Sequence, residues 1–343
     1  MKKTLFFVLM AAVMFASCGE GDILGVKKTK FYSTGKVLDV LVVANHDALS
    51  KPTRDLLDSV FKQPQRCFPP QMIEPRFNMV TLPSNKLEGN RVFQSYRSIV
   101  KCDIAKDNPN KVFLERDKWV APQVYVQISA SCEDSLRALL RRFEPQMVNA
   151  FYDVERHRFI ELYSGSAGNG SVTKKVKEKY GFSVVVGNTF HWLKEKDDFV
   201  WIQEKLTEAN DKVVLSNLLI QTTPYVSQDQ FKRDQLLDRL DTMLCRYVPD
   251  GTGGYPGIER DTTLCKLLTT SVKYPDSEYC IHTRGWWGLV NTDNMMGGPF
   301  VAYSILSPDG KTIVDVMGFV YGPKHRKRDF LMKLESMCYS VKW

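Results

Sequence analysis

A stretch rich in glycine and serine divides this 343-residue chain into two halves of similar length. It reads Ser-Gly-Ser-Ala-Gly-Asn-Gly-Ser from Ser164 to Ser171, a composition typical of a loop. Apolar side chains recur every three or four residues before it, over residues 131–164, which predicts a long amphipathic helix. Because a chain of this length suggests one large or two modest domains, we predict two units, residues 36–164 and 165–343.

Both halves repeat one order of elements, in which a strand and a helix precede several strands and a second helix. Residues 36–44 are β-branched and almost continuously apolar, which predicts a buried strand. The last helix is predicted near residues 326–340, after four strands between 262 and 321. Strands and helices do not alternate regularly, so a doubly wound parallel sheet is not predicted. We predict an α+β fold of two related units, each a mainly antiparallel sheet with helices packed on one face.

The N-terminus has the pattern of a secretory signal. Basic residues Lys2 and Lys3 precede an uncharged apolar run, Leu5 to Ala16, which is shorter than the roughly 20 residues that a membrane-spanning helix needs. Ala-Ser-Cys at its end resembles the bacterial lipobox, in which the cysteine is acylated. We therefore predict a signal peptide over residues 1–17, a lipidated Cys18 and a tether over residues 18–35; the alternative is an ordinary signal with a chance cysteine.

A lipid on Cys18 would hold the mature chain to a membrane without a transmembrane helix, since two or more acyl chains anchor a protein stably. We expect a lipid-anchored protein of the cell envelope, in the outer membrane and facing the periplasm. The acidic residues Glu20 and Asp22 leave exposure at the cell surface open.

Composition narrows the partners. Loss of Lys2 and Lys3 with the signal lowers the formal charge from +8 to +6, which favours an anionic envelope ligand or another envelope protein with an acidic surface. Nucleic acid is not expected as a partner outside the cytoplasm. Seven cysteines remain besides Cys18, an odd number, so at least one thiol stays unpaired within a single chain.

Standard catalytic motifs are absent. Cys280 and His282 would share one face of a strand, as a nucleophile and its base could, but packing within the strand is the simpler interpretation. His157 and Glu161 lie one helical turn apart and are too few to hold a metal ion. We assign no catalytic residue, metal ligand or cofactor.

The C-terminal quarter carries the candidate binding residues. A glycine-flanked Trp-Trp pair follows Arg284, so both rings are expected to be partly exposed. A basic run begins the last helix, where amide N–H groups and the helix dipole favour an anion. A solvated basic turn is the alternative. The candidate binding residues are Arg284, Trp286, Trp287, Lys324, Arg326 and Arg328.

These segments also carry a resemblance to a known family. RGWWGLVNTDNMMGGPF and GFVYGPKHRKR resemble the C-terminal signature of an uncharacterised lipoprotein family of the Bacteroides group, domain of unknown function number four-eight-three-seven. WVAPQVYVQISA and GKVLDVLVVAN look similar to it as well, so the resemblance covers nearly the whole mature chain. The resemblance implies a location in the cell envelope and a fold, but it implies no mechanism.

Two functions remain open. The first is a binding or scaffolding role, with a contact surface formed by Trp286–Phe300 and the basic turn 324–328. The second is hydrolysis of envelope glycan or peptide, for which Glu278, Asp293 and His282 are the candidate acid and base groups. A pocket holding two of these groups within hydrogen-bond reach would favour hydrolysis.

Overall fold

Two β-sheets, one from each half of the chain, form the framework of the molecule. The computed structural model describes residues 31–208, 212–249, 251, 253–261, 263 and 265–343. The predicted α+β class and the division into two units are confirmed. The predicted signal peptide, Cys18 and most of the tether lie outside the described residues.

The first sheet has five strands in the order β2-β1-β3-β5-β4. Its strands are β1 (Asp39–Val43), β2 (Asn78–Leu82), β3 (Ser98–Ile104), β4 (Lys111–Arg116) and β5 (Val124–Ala130). All pairings are parallel except that of β4 with β5. The prediction of a mainly antiparallel sheet is therefore wrong for this unit. Every residue of β1 is buried, as in strands of parallel sheets that are covered on both faces.

Helices of the first unit account for that connectivity. Parallel neighbours need a crossover, and α1 (Lys51–Phe61) supplies it between β1 and β2. The short α2 (Arg91–Gln94) precedes β3. The 32-residue α3 (Glu133–Ser164) packs beside α1 on one face of the sheet, with Pro145 inside it.

The second sheet has eight strands and is antiparallel, as predicted. Its main order is β10-β11-β12-β13-β8-β7-β6, and β9 pairs with β11. Its strands are β6 (His191–Glu195), β7 (Phe199–Glu208), β8 (Lys212–Pro224), β9 (Tyr255–Ile258), β10 (Leu268–Ser271), β11 (Cys280–Val290), β12 (Gly297–Leu306) and β13 (Thr312–Tyr321).

Helices cover both faces of this sheet, so the prediction of helices on one face is wrong here. α4 (Gly170–Tyr180) follows the loop after α3; α5 (Arg233–Tyr247) packs on one face and α6 (Arg328–Cys338) on the other. The central strands β12 and β13 are buried on both faces and therefore need two covers. Gly318 lets α6 approach closely, because a Cβ built there would lie 2.7 Å from the Cβ of Leu334.

The two units meet along an interface that includes the packing of α6 against α3, and we call the whole interface the seam. Among the described helices, none is both long enough and apolar enough to cross a membrane.

A buried ion pair stabilises the first unit. The Arg97 guanidinium donates to the Glu155 carboxylate at 2.6 Å, and both side chains are 1% exposed. Glu155 also accepts the backbone N–H of Leu38 at 3.0 Å, which joins the start of β1 to α3. We predict that Glu155→Ala lowers the free energy of unfolding by about 3–5 kcal/mol, because Arg97 is left buried without its partner. Urea unfolding measures this. The double variant Arg97→Met with Glu155→Leu should lose less than Glu155→Ala, and a single-variant loss below about 1 kcal/mol would contradict the assignment.

Candidate functional site

A cavity of about 310 Å³ opens at the seam and is walled by both units. We call it the seam cavity. In the first unit its walls come from the turn after α1, from Arg76 and from one face of α3; in the second unit they come from β10 and β11. The lining residues are Pro64, Gln65, Arg66, Cys67, Arg76, Glu144, Pro145, Val148, Tyr152, Leu268 and Arg284.

Strand geometry directs Arg284 into the seam cavity. Side chains alternate along β11, so His282, Arg284 and Trp286 share the face that meets the first unit. Leu268 of β10 is the cross-strand partner of Arg284 and lines the same wall. Arg284 is thus the candidate binding residue that lines this cavity, and its binding role stays a prediction.

The two tryptophans lie on opposite faces of β11. Trp286 packs edge-on against Phe68 of the first unit, with ring centroids 5.9 Å apart. Trp287 is only 2% exposed, packs against Phe319 and donates its ring N–H to the carbonyl of Val320 at 3.3 Å. The expected exposure of Trp287 is wrong, because β11 is an interior strand with both faces covered.

Charge beside Arg284 is shared across the seam. The Glu335 carboxylate of α6 lies 3.6 Å from a terminal nitrogen of Arg284 and accepts a hydrogen bond from Arg156 of α3 at 3.1 Å. Burial alone would raise the pKa of Glu335, but Arg284, His282 and Arg156 together hold it below its ordinary value. Glu335 therefore stays ionised, and its carboxylate is shared by the guanidinium groups of Arg284 and Arg156.

Several buried atoms of this group lack hydrogen-bond partners among the described residues: Arg156 Nε, His282 Nε2, Glu335 Oε2 and Arg284 Nε. The side chain of Arg284 is 16% exposed. The lining of the cavity carries two further arginines against one acid: Arg76 is paired with Glu144 at 3.1 Å, and Arg66 lies exposed on the turn. The cavity is therefore positively charged overall.

The remaining polar groups of the wall can donate hydrogen bonds. The Tyr152 hydroxyl accepts a hydrogen bond from Gln65 at 3.3 Å, which leaves its own proton for another acceptor. Burial raises the pKa of Tyr152, so the phenol stays protonated. Burial also raises the pKa of the Cys67 thiol, although Arg284 opposes this. A cation beside neutral donors is an arrangement that binds carboxylate or phosphate oxygens.

The structure places the basic residues of the turn 324–328 in two different environments. Arg328 is 6% exposed; it donates to the carbonyl of Pro75 at 2.9 Å and pairs with Asp329. The N–H groups of Lys327 and Arg328 donate to the Glu74 carboxylate at 2.8 and 2.9 Å. The anion expected at this end of the last helix is thus supplied by the first unit, about 250 residues earlier in the chain. Lys324 and Arg326 are exposed, and their binding role stays a prediction.

The groups considered for hydrolysis are not brought together. Glu278 and Asp293 are exposed and flank the two ends of β11, an 11-residue strand that spans about 35 Å. His282 is mostly buried and stacks on Tyr303 with ring centroids 4.5 Å apart. Cys280 shares its face, as predicted, and burial raises the pKa of its thiol well above the ordinary value. Within the described ranges, no three His, Cys, Asp or Glu side chains are placed to hold a metal ion.

Fold and cavity together define a two-unit α+β protein with a positively charged cavity between the units. The model of the family described as Domain of unknown function (DUF4837) matches residues 169–340, half of the chain, and the chain belongs to this family. A second model, Domain of unknown function (DUF8532), matches residues 33–164. The resemblance at the C-terminal motifs is confirmed, whereas residues 35–45 and 119–130 fall within the second match rather than the first. A search of curated proteins found no match.

His282 should make stability depend on pH. Burial lowers its pKa to about 4, outweighing the opposing effect of Glu335, so the folded chain keeps it neutral while the unfolded chain protonates it below about 6.5. His282 therefore does not reduce the free energy of unfolding above pH 6.5, and this free energy falls as the pH drops from 6.5 toward 4. Between pH 7 and 5 we expect the native chain to lose about 1–2 kcal/mol more than His282→Phe does in urea unfolding. His157→Gln, at an exposed position of α3, is the control and should behave like the native chain. Equal losses in the native chain and His282→Phe would contradict the assignment.

Proposed function

We propose that this protein is a lipid-anchored binding protein of the cell envelope that holds a small anionic ligand in the seam cavity. The observation that carries the proposal is the Arg284 guanidinium, which is largely buried, shares its one carboxylate with Arg156 and borders open space. Carboxylate and phosphate are the chemical groups that fit such a site.

Energetics supports an anion over a neutral ligand. Removing a charged group from water is costly unless it gains a partner and hydrogen bonds. The Glu335 carboxylate, 3.6 Å from Arg284, offsets part of this desolvation cost. The buried Nε of Arg284 still has no hydrogen-bond partner among the described residues. Charge-assisted hydrogen bonds from guanidinium to an oxyanion are among the strongest in proteins, so an anion would gain most at this position.

Binding is favoured over hydrolysis because the candidate acid and base groups are far apart. General acid–base cleavage of a glycan needs two carboxyl groups within about 10 Å of each other. Glu278 and Asp293 flank opposite ends of β11. Glu335, the acid beside Arg284, is held ionised by the neighbouring cations. A site of donors without a proton-transfer pair is suited to recognition.

The envelope location rests on the N-terminal sequence. The signal pattern over residues 1–17 and the Ala-Ser-Cys ending support export and lipidation of Cys18. A ligand in the envelope, or an acidic surface of another envelope protein, would then be the partner. The exposed Lys324 and Arg326 offer a second, more solvated contact for such a surface.

Anion binding can be tested with inorganic phosphate and with acetate as probes, titrated by calorimetry at constant ionic strength. We expect saturable binding of at least one probe and an affinity loss of about tenfold or more in Arg284→Gln, because a charge-assisted hydrogen bond contributes roughly 1.5–3 kcal/mol.

The matched control is Lys324→Gln with Arg326→Gln, which removes exposed cations outside the cavity and should leave binding unchanged. Circular dichroism of each variant checks the fold. Absence of saturable binding, or a loss confined to the Lys324 and Arg326 variant, would exclude the seam cavity as the anion site.

The anchor is tested separately by Cys18→Ser. We expect the native chain in the membrane fraction, extractable with detergent but not with high salt, because its attachment is through lipid. The variant should leave the membrane fraction, and acyl groups should be absent from its N-terminal peptide by mass spectrometry. A native chain that is soluble without detergent would refute the anchor and leave the anion site untouched.

A further inference from the structure

Two buried cysteines, one from each unit, lie next to a main-chain hydrogen bond that joins the units. Cys67 directly follows Arg66, and Cys265 directly precedes Lys266. The backbone N–H of Lys266 donates to the carbonyl of Arg66 at 3.1 Å, which joins the two segments. Both thiols are free and buried, with 2% and 5% exposure.

That hydrogen bond sets the spacing of the segments. Chains joined by a main-chain hydrogen bond run about 5 Å apart. A disulfide spans Cα atoms that are about 4.4–6.8 Å apart, so the residues next to the bonded pair lie in a suitable range. The turn that carries Cys67 is itself fixed, because the N–H of Phe68 donates to the carbonyl of Gln65 at 3.1 Å.

The electrostatics of Cys265 include a contribution from Cys67. Burial, together with the charges of Glu259 and Cys67, raises the pKa of Cys265 to about 11. By contrast, the buried Cys102 owes its raised pKa to burial alone, and Cys280 to burial and Asp315. Cys132 and Cys245 are exposed.

We propose that Cys67 and Cys265 form a disulfide that links the two units when the chain folds in an oxidising medium. The oxidant is a small or protein-borne disulfide. One cysteine thiolate attacks it and expels a thiolate, and the second cysteine then attacks the mixed disulfide and expels the other. One S–S bond forms and one is reduced to two thiols, while the two cysteine protons pass to the solvent and the expelled thiolates.

The bond would form before the seam closes. Buried thiols of high pKa react slowly, so the folded reduced chain should oxidise slowly and the folded oxidised chain should resist reduction. The link would close a loop of about 200 residues and constrain the unfolded chain strongly. It would also fix the turn that forms one wall of the seam cavity, whether or not an anion binds there.

Peptide mapping of the full-length chain gives a direct test. The chain is unfolded and reduced, refolded in a glutathione redox buffer, alkylated without reductant and digested with trypsin. Cleavage after Arg66, Arg76, Arg260 and Lys266 releases peptides 67–76 and 261–266, each with a single cysteine. We expect these two peptides joined, with a mass 2 Da below their sum, and separated by reductant.

Variants distinguish a specific bond from general oxidation. Cys265→Ser should abolish the joined peptides and leave Cys67 alkylated, whereas Cys280→Ser should retain them. The oxidised native chain should melt on the order of 5 °C above the reduced chain, and this difference should vanish in Cys265→Ser. Alkylated Cys67 and Cys265 in the refolded native chain, or Cys67 joined to a different cysteine, would overturn the proposal.

Discussion

The Glu335 carboxylate is the centre on which the association of the two units depends. It comes from α6 of the second unit, is 1% exposed, and receives a hydrogen bond from Arg156 of α3 in the first unit. Because an ionised carboxylate cannot be buried cheaply without partners, the second unit needs the first to complete this site. Arg284 supplies the other cation and, in doing so, brings a guanidinium to the edge of the seam cavity. One buried charge thus explains both why the units pack together and why a cationic cavity lies between them.

A reciprocal contact operates at the start of α6. There the first unit provides the anion, since Glu74 accepts the N–H groups of Lys327 and Arg328. Uncapped N–H groups at a buried helix start would be unsatisfied, and the carboxylate also complements the helix dipole. Each unit therefore completes a polar site that begins in the other. This reciprocity makes the seam polar and specific, rather than a simple apolar contact.

Sequence patterns predicted what depends on local order. The long helix before the glycine-rich loop and the shared face of Cys280 and His282 follow from side-chain periodicity. The antiparallel second sheet follows from the order of elements, in which most strands succeed one another without a helix between them. The parallel first sheet was missed, although the continuous apolar run of β1 was recognised, because strand direction depends on crossovers that periodicity does not encode. Arg284 was identified from its glycine- and tryptophan-rich surroundings. The groups around it, Glu335, Arg156 and Tyr152, were not predicted, since each lies on a helix that periodicity describes as amphipathic without indicating what faces it. Glu74 could not be paired with the basic run across about 250 residues without the fold.

The account depends on an energetic link between the units through Glu335, which a double-mutant cycle measures most directly. Arg156→Met, Glu335→Leu and the double variant would be compared with the native chain by urea unfolding at pH 7. We predict that the double variant loses less stability than the sum of the single losses, by about 1–3 kcal/mol, because each single change removes one partner of a buried charge. Losses that add to within about 0.5 kcal/mol would contradict a shared charge across the seam.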